Sequence, residues 1–190
     1  MRWQIELSTS CLADMDVFAN IKPRFPALRD ANIVYLDSAA TTQMSESVFE
    51  AVSSYERGGR GNPYRGLHAF AARATELWAS SRATVAGFIG AQPQELLFTK
   101  GTTEGLNLVA RALGDRLGPG DEVVLSIFEH HANLLPWREL ARERGFTIVY
   151  LPMAKNGSVD LELAKRVIGS KTKVVSIAHA SNVLGTILPV

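Results

Sequence analysis

Two threonines in the segment Thr99–Glu104 could hold a phosphate group. The segment lies between a predicted strand and a predicted helix, where Gly101 allows a tight turn and Thr102 and Thr103 begin the helix. The free N–H groups and positive end of a helix, with hydroxyls beside them, suit a phosphate. The alternative is that one threonine merely caps the helix. The Walker sequence of nucleotide-binding loops is absent.

A pair of histidines, His130 and His131, follows an apolar strand predicted over 122–128. Open α/β sheets bind ligands at the carboxyl ends of their strands, where an imidazole can stack on a planar ring, relay a proton or bind a metal. Because adjacent side chains point in different directions on regular structure, one functional and one structural histidine are favoured over a joint metal site. A polar loop residue or a helix cap is the alternative for either one.

Two further segments carry polar side chains suited to ligand binding. Asn182 follows the last predicted strand and offers an amide donor and acceptor, and Gly185 permits a turn; an ordinary Asx turn is the alternative there. Arg65 lies in a glycine-rich loop and could clamp a carboxylate or a phosphate, or only contact a nearby carboxylate. We interpret Lys100 and Cys11 as non-catalytic, since nothing near Lys100 suggests the desolvation that activates a lysine.

Helices and strands that alternate along the chain must position these residues. Near-continuous apolar strands between helices predict an α/β fold, mainly a parallel sheet with helices on both faces. We predict an N-terminal arm and helix over residues 1–65 and an α/β body over residues 66–190. Helices are predicted over 46–55, 68–89, 102–113, 133–144 and 160–168, and strands over 32–37, 95–99, 122–128, 146–151 and 173–179. The helix over 68–89 is expected to bury Ala74, Leu77, Trp78, Val85 and Phe88.

The composition excludes several classes of protein. The 190 residues are 46% apolar and 21% charged, which is enough hydrophobic material for a packed core. The net charge of +1 gives no reason to expect nucleic-acid binding. One cysteine cannot form an internal disulfide or a multi-cysteine metal site, and no metal site is predicted. Because no run approaches the roughly 18 continuous apolar residues of a membrane span, we expect a cytoplasmic protein without a membrane partner.

The order and content of these segments resemble a known enzyme family. From about Phe18 to Val190 the chain resembles the N-terminal half of a type II cysteine desulfurase or selenocysteine lyase, in the class V branch of fold-type I pyridoxal-phosphate enzymes. The resemblance implies a partial fold-type I large domain. It also implies conversion of cysteine to alanine plus an enzyme-bound persulfide, for iron–sulfur cluster assembly or other sulfur delivery. It rests on YLDSAATT at 35–42, RGLH at 65–68, GTTEGLNLV at 101–109, EHHANLLPW at 129–137 and SNVLGT at 181–186.

The resemblance implies a cofactor-binding role for four residues. Thr102 and Thr103 match the turn that holds the phosphate of pyridoxal phosphate. His130 matches the histidine that stacks on the pyridine ring and is associated with proton transfer, which makes it the candidate catalytic residue. Asn182 matches the asparagine beside the oxygen substituent of the ring.

Three more residues are implied on the substrate side. Ala39 and Ala40 match the small segment that lines the substrate site, and Arg65 matches an arginine at the mouth of the active site. The family commonly has histidine where this chain has Tyr64. That departure bears on substrate-side acid–base chemistry and on the choice of substrate.

In this family the lysine that binds the cofactor, the aspartate that pairs with the pyridinium nitrogen and the sulfur-accepting cysteine all follow the SNVLGT segment. None of the three has a matching position here, so we expect a truncated chain or one half of a split enzyme that alone cannot complete desulfuration. The expected partners are L-cysteine or a related amino acid, a second copy in a homodimer, a complementing C-terminal chain and a sulfur-acceptor protein. The alternatives are another class V enzyme, such as a selenocysteine lyase or an aminotransferase, and a remnant that only binds cofactor.

Overall fold

The chain divides into two compact units whose boundary lies between Leu96 and Leu97. The structure is a computed structural model that describes residues 21–30, 32–154 and 158–188. Cys11 and the first twenty residues of the predicted arm lie outside the described residues. The two units are defined by how densely their residues pack together. They do not test the predicted domain boundary at residue 65, which stays a prediction.

The regular secondary structure of the first unit, over its described residues, is helical. Its two long helices are α1, Glu46–Arg57, and α2, Ala69–Phe88, as the sequence predicts. Short 3-10 turns cover Lys22–Arg24, Pro26–Leu28 and Pro93–Glu95. At the start of α2, the His68 imidazole Nδ1 accepts the N–H of Ala71 at 3.3 Å, which satisfies one of the free donors of a helix start.

The glycine-rich loop between α1 and α2 packs tightly against α2. The Arg73 guanidinium donates to the carbonyls of Gly58, at 3.1 Å, and Ser54, at 3.4 Å, at the end of α1. A Cβ on Gly61 would lie 2.1 Å from the carbonyl oxygen of Phe70, so only glycine allows this approach. The buried stripe predicted for α2 is largely wrong: Ala74 is buried, but Phe88 is 91% exposed.

The second unit contains a three-stranded parallel sheet in the order β2-β1-β3. The strands are β1, Glu122–Ser126, β2, Thr147–Leu151, and β3, Thr172–Ser176. β1 lies in the centre, with Val124 opposite Val149 of β2 and Val175 of β3. The predicted α/β class with a mainly parallel sheet is confirmed.

Helices cover both faces of this sheet. They are α3, Thr102–Gly114, α4, His131–Arg144, and α5, Leu161–Val167. Side chains alternate across a strand, so Val123 and Leu125 point to one face, where they pack with Trp137 and Leu140 of α4. Val124 points to the other face, in a cluster with Leu151 and Ala164. The prediction of helices on both faces is therefore confirmed.

Helices α3 and α4 run parallel to each other, with their C-terminal ends joined by two ion pairs. Arg111 pairs with Glu143 at 3.2 Å, and Arg144 pairs with Asp115 at 2.6 Å. Exposed ion pairs of this kind contribute little to stability, but they show which ends of the helices are neighbours. The N-terminal ends of α3 and α4 must therefore lie at the same end of the pair.

The close packing of α3 on α4 depends on Gly114. A Cβ at this position would lie 2.8 Å from Cδ1 of the buried Leu140. We expect Gly114→Ala to lower the free energy of unfolding by about 1 kcal/mol, because overpacking outweighs the gain in helix propensity. Gly87→Ala is the control, because its Cβ meets no atom within 4 Å; it should stabilise by about 0.5 kcal/mol. Urea unfolding measures both, and equal effects would contradict the packing argument.

Two of the predicted strands are wrong. Residues 32–37 and 96–99 lie outside the three-stranded sheet, and Pro93–Glu95 forms a 3-10 turn. A strand is defined by its pairing with a neighbour, which a local apolar pattern cannot supply. Among the described residues, none of the helices combines the length and apolarity that a bilayer crossing requires.

Candidate functional site

The candidate site lies at the carboxyl ends of the strands of the second unit. The chain passes from β1 to β2 on one side and then returns to β3 on the other side of β1. In open α/β sheets, such a change of direction leaves a crevice outside the strand ends, where ligands bind. The loop that follows β1 carries His130, and the loop that follows β3 carries Asn182.

The start of α3 presents Thr102 and Thr103 with free backbone donors. The first bond of the helix runs from the N–H of Gly105 to the carbonyl of Gly101 at 3.1 Å, so the N–H groups of the first helical residues have no partner within the helix. A Cβ on Gly101 would meet no heavy atom within 4 Å, so the backbone there is open to a ligand. The Glu104 carboxylate folds back and accepts the N–H of Lys100 at 2.5 Å.

His130 is the N-cap of α4. Its Nδ1 accepts the N–H of Ala132 at 3.1 Å, so a neutral ring carries its proton on Nε2. The ring is exposed. The functional and capping interpretations of the sequence are therefore compatible, because one nitrogen caps the helix and the other remains available. The ring of His131 is tilted by 48° to that of His130, with 6.3 Å between centroids.

One cavity of about 500 Å³ brings Thr103 and His130 together. It lies between α3 and α4 and extends from their N-terminal ends, at Thr103 and His130, to their third turns, at Arg111 and Glu139. Two positive helix ends next to one end of the cavity favour an anionic ligand there. The other lining residues are Asn107, Arg111, His131, Ala132, Leu135, Pro136, Glu139 and Leu140.

Sequence reasoning missed three polar residues of this cavity, Asn107 and Arg111 on α3 and Glu139 on α4. Asn107 and Arg111 lie four and eight residues after Thr103, on one face of α3. The Asn107 amide donates to the carbonyl of Thr103 at 2.8 Å, and Arg111 brings a positive charge to the cavity wall. The four-residue spacing from a candidate phosphate threonine is the signal that could have found the two residues on α3.

Asn182 lies in a tight loop after β3 and does not line the cavity. The loop is closed by an antiparallel bridge between Ala180 and Ile187. The Ser181 hydroxyl accepts the N–H of Leu184 at 3.1 Å, and Gly185 has a φ of 71°, so the turn expected at this glycine is confirmed. The Asn182 side chain is exposed.

The substrate-side candidates belong to the first unit. Ala39 and Ala40 lie in an exposed turn, in which the N–H of Ala40 donates to the carbonyl of Asp37 at 3.1 Å. Arg65 is exposed in the loop before α2. Its neighbour Tyr64 has a φ of 61°, a left-handed conformation that is uncommon for a bulky residue. The Tyr64 N–H donates to the Thr75 hydroxyl at 2.9 Å.

Within the described residues, no three His, Cys, Asp or Glu side chains are grouped closely enough to hold a metal ion.

The fold defines an α/β protein whose candidate ligand site lies between α3 and α4, next to the loop that follows β1. The chain belongs to the aminotransferase class-V family, whose model matches residues 34–190. The predicted family, with its likeness to cysteine desulfurases, is therefore confirmed. The cofactor of the family is pyridoxal phosphate, as the resemblance implies.

Two similar proteins are cysteine desulfurases, and a third is a probable cysteine desulfurase. A probable cysteine desulfurase of Pseudomonas aeruginosa is 46% identical over 169 residues, which are 88% of this chain and 42% of the relative. An apo cysteine desulfurase structure from Thermococcus onnurineus superposes with a TM-score of 0.85 at 37% identity, over 90% of this chain and 42% of that one. The structure of a cysteine desulfurase of Escherichia coli superposes with a TM-score of 0.77 at 38% identity, over 90% of this chain and 43% of that one. The chain thus spans about two-fifths of the length of these proteins.

Proposed function

We propose that this chain is the phosphate- and ring-binding part of a pyridoxal-phosphate cysteine desulfurase. The reaction would convert L-cysteine to alanine and pass the sulfur, as a persulfide, to iron–sulfur cluster assembly or another acceptor. The observation that carries the proposal is that Thr103 and His130 line the same cavity, at the end of it where two parallel helices both begin. The similarity to two cysteine desulfurases and a probable third supports the choice of reaction.

The residues at the start of α3 fit the phosphate of this cofactor. The N–H groups of Thr102 and Thr103 precede the first intrahelical bond, and their hydroxyls are exposed beside them. Free amides and hydroxyls at a positive helix end are the donors that a phosphate dianion prefers. Asn107 fixes the first turn of α3 through the carbonyl of Thr103, which keeps the donors in place.

His130 fits the aromatic part of the cofactor. When bound, pyridoxal phosphate supplies an electron sink for bonds broken at the amino-acid carbon. The His130 ring offers an exposed flat face for stacking. In the neutral form Nε2 carries the ring proton, so this atom can donate a hydrogen bond to a bound ligand. The Nδ1 bond to Ala132 keeps the ring from rotating freely.

The proposed substrate-side roles rest on the resemblance. The Arg65 guanidinium suits the carboxylate of an amino acid because it can donate two parallel hydrogen bonds. Ala39 and Ala40 present small side chains beside which an amino acid could lie. We also propose a homodimer, or a pair with a chain that supplies the rest of the enzyme, as the functional assembly.

Titration with pyridoxal phosphate tests the proposal. The purified chain should bind it with a shift in cofactor absorbance, and Thr103→Val should weaken binding roughly 10-fold or more, because one hydrogen bond to a charged phosphate is lost. Thr147→Val is the matched control, since Thr147 is exposed on β2 away from the cavity. Pyridoxal without phosphate should bind the Thr103 variant and the wild type equally.

No binding by the folded wild-type chain would overturn the proposal, and equal losses in both threonine variants would overturn the role of Thr103. The reaction itself is tested by co-expressing this chain with the remaining part of the Pseudomonas aeruginosa relative. Alanine from cysteine would support a desulfurase. Activity only with selenocysteine would instead favour a selenocysteine lyase.

A further inference from the structure

A cluster of hydrogen-bonded side chains joins the end of β1, the start of α4 and the end of β3. We call it the strand-end cluster; its members are Ser126, Glu129, Asn133, Trp137 and Ser176. Four members lie in the short stretch Ser126–Trp137, and the fifth is far away in sequence, since Ser176 lies 43 residues after Asn133. The cluster is next to the two loops that carry His130 and Asn182.

The Glu129 carboxylate accepts three hydrogen bonds within the cluster. Oε1 accepts the Ser126 hydroxyl at 2.5 Å and the backbone N–H of Ala178 at 2.8 Å. Oε2 accepts the Asn133 amide at 2.7 Å. One side chain therefore connects the loop after β1 with α4 and with the first residues after β3.

Asn133 uses every polar atom of its buried side chain. Its Nδ2 donates to the Glu129 carboxylate and, at 3.1 Å, to the carbonyl of Ser176. Its Oδ1 accepts the Ser176 hydroxyl at 2.7 Å and the Trp137 indole N–H at 3.2 Å. The amide is only 5% exposed. A buried amide with all its hydrogen bonds made holds its neighbours in one arrangement, because any shift leaves a buried polar atom unpaired.

This arrangement bears directly on the candidate site. His130 follows Glu129 directly and is the N-cap of α4, whose first turn contains Asn133. Ala178, whose N–H the Glu129 carboxylate binds, lies four residues before Asn182. A core that only needed volume could use apolar residues at these places, since replacing a buried polar group by a well-packed apolar one is often neutral or stabilising.

We propose that Glu129 and Asn133 are positioning residues of the cofactor site. They fix the His130 imidazole at the start of α4 and the direction in which the chain leaves β3 toward Asn182. The importance of this positioning for cofactor binding rests on the proposed function. The placement of His130 itself can be measured on the chain without cofactor.

Nitrogen-15 NMR of the histidine side chains provides that measurement. In the wild-type chain at alkaline pH, His130 should show an acceptor Nδ1 and a protonated Nε2, because Nδ1 accepts the Ala132 amide. Glu129→Ala should shift the two ring nitrogens toward the average of a free imidazole. Asp160→Ala is the control: Asp160 caps α5 through two backbone N–H bonds at 2.9 and 3.2 Å, so it should lose stability without moving the His130 signals.

A reciprocal exchange separates positioning from a general loss of structure. Asn133→Asp places a second carboxylate against Glu129, and Glu129→Gln turns an amide donor toward either the Asn133 amide or the Ala178 N–H, so each single variant should shift the His130 nitrogens. In the double variant Glu129→Gln/Asn133→Asp, the amide of residue 129 donates to the carboxylate of residue 133, but the bond from residue 133 to the Ser176 carbonyl stays lost. The His130 signals should therefore return part of the way to their wild-type positions.

Titration with pyridoxal phosphate completes the test. Each single variant should bind pyridoxal phosphate more weakly, with a loss no larger than that caused by removing the His130 ring. The double variant should regain part of the lost affinity. Unchanged His130 signals in both single variants would overturn the inference, as would a double variant no better than the worse single one. A wild-type chain that shows the expected His130 signals but binds no cofactor would overturn the proposed function instead.

Discussion

Trp137→Ala is expected to lower the free energy of unfolding by about 3–5 kcal/mol, the range for loss of a large aromatic side chain from a core. Trp137 is 1% exposed and packs with Ala110, Val123, Leu125, Leu140 and Phe146. It joins α4 to the central strand of the sheet. Urea unfolding followed by far-ultraviolet circular dichroism measures the effect without using the fluorescence of the replaced residue.

Trp137→Phe separates the packing of the indole from its hydrogen bond. Phenylalanine keeps most of the apolar contact but removes the N–H that Asn133 Oδ1 accepts at 3.2 Å. We expect the free energy of unfolding to fall by about 1–3 kcal/mol, because the buried Asn133 Oδ1 loses one of its hydrogen-bond donors. A loss below about 1 kcal/mol for Trp137→Ala would contradict the central place of this residue in the core.

The strands of the second unit could be predicted because burial on both faces leaves a nearly unbroken apolar run. Val123, Val124 and Leu125 are all fully buried in β1, as expected for the centre of a covered parallel sheet. A similar apolar run led to the wrong prediction of a strand over 95–99, because an apolar pattern does not show which neighbouring strand a segment would pair with. The α2 stripe failed for a related reason: periodicity identifies a face of a helix but not what covers it.

Part of the candidate site was predictable from residue types at the junctions between elements. Thr103 begins a helix after a tight turn, and His130 follows a strand, so both could be singled out before any contact was known. The strand-end cluster could not be found in this way. Glu129 and Asn133 acquire their roles from Ser176 and Ala178, more than forty residues later, and that pairing exists only in the folded sheet.

His130→Asn is expected to weaken binding of pyridoxal phosphate by about 3- to 10-fold while leaving the stability of the chain nearly unchanged. The asparagine oxygen can still accept the Ala132 N–H that His130 Nδ1 accepts at 3.1 Å, since asparagine is among the best helix N-caps. The aromatic ring is lost, and with it a stacking contact of about 0.5–1.5 kcal/mol. Absorbance titration and urea unfolding on the same preparation measure the two quantities.

His130→Ala removes the cap as well as the ring, so it should lose the same affinity and also about 1 kcal/mol of stability. His131→Ala is the matched control in the same cavity, because His131 is the first residue of α4 and its side chain has no capping bond. If His131→Ala weakened binding as much as His130→Asn, the assignment of the stacking role to His130 would be wrong. If His130→Asn bound the cofactor as tightly as the wild-type chain, the imidazole would act only as a helix cap, and the ring of the cofactor would have to rest on another residue of the cavity.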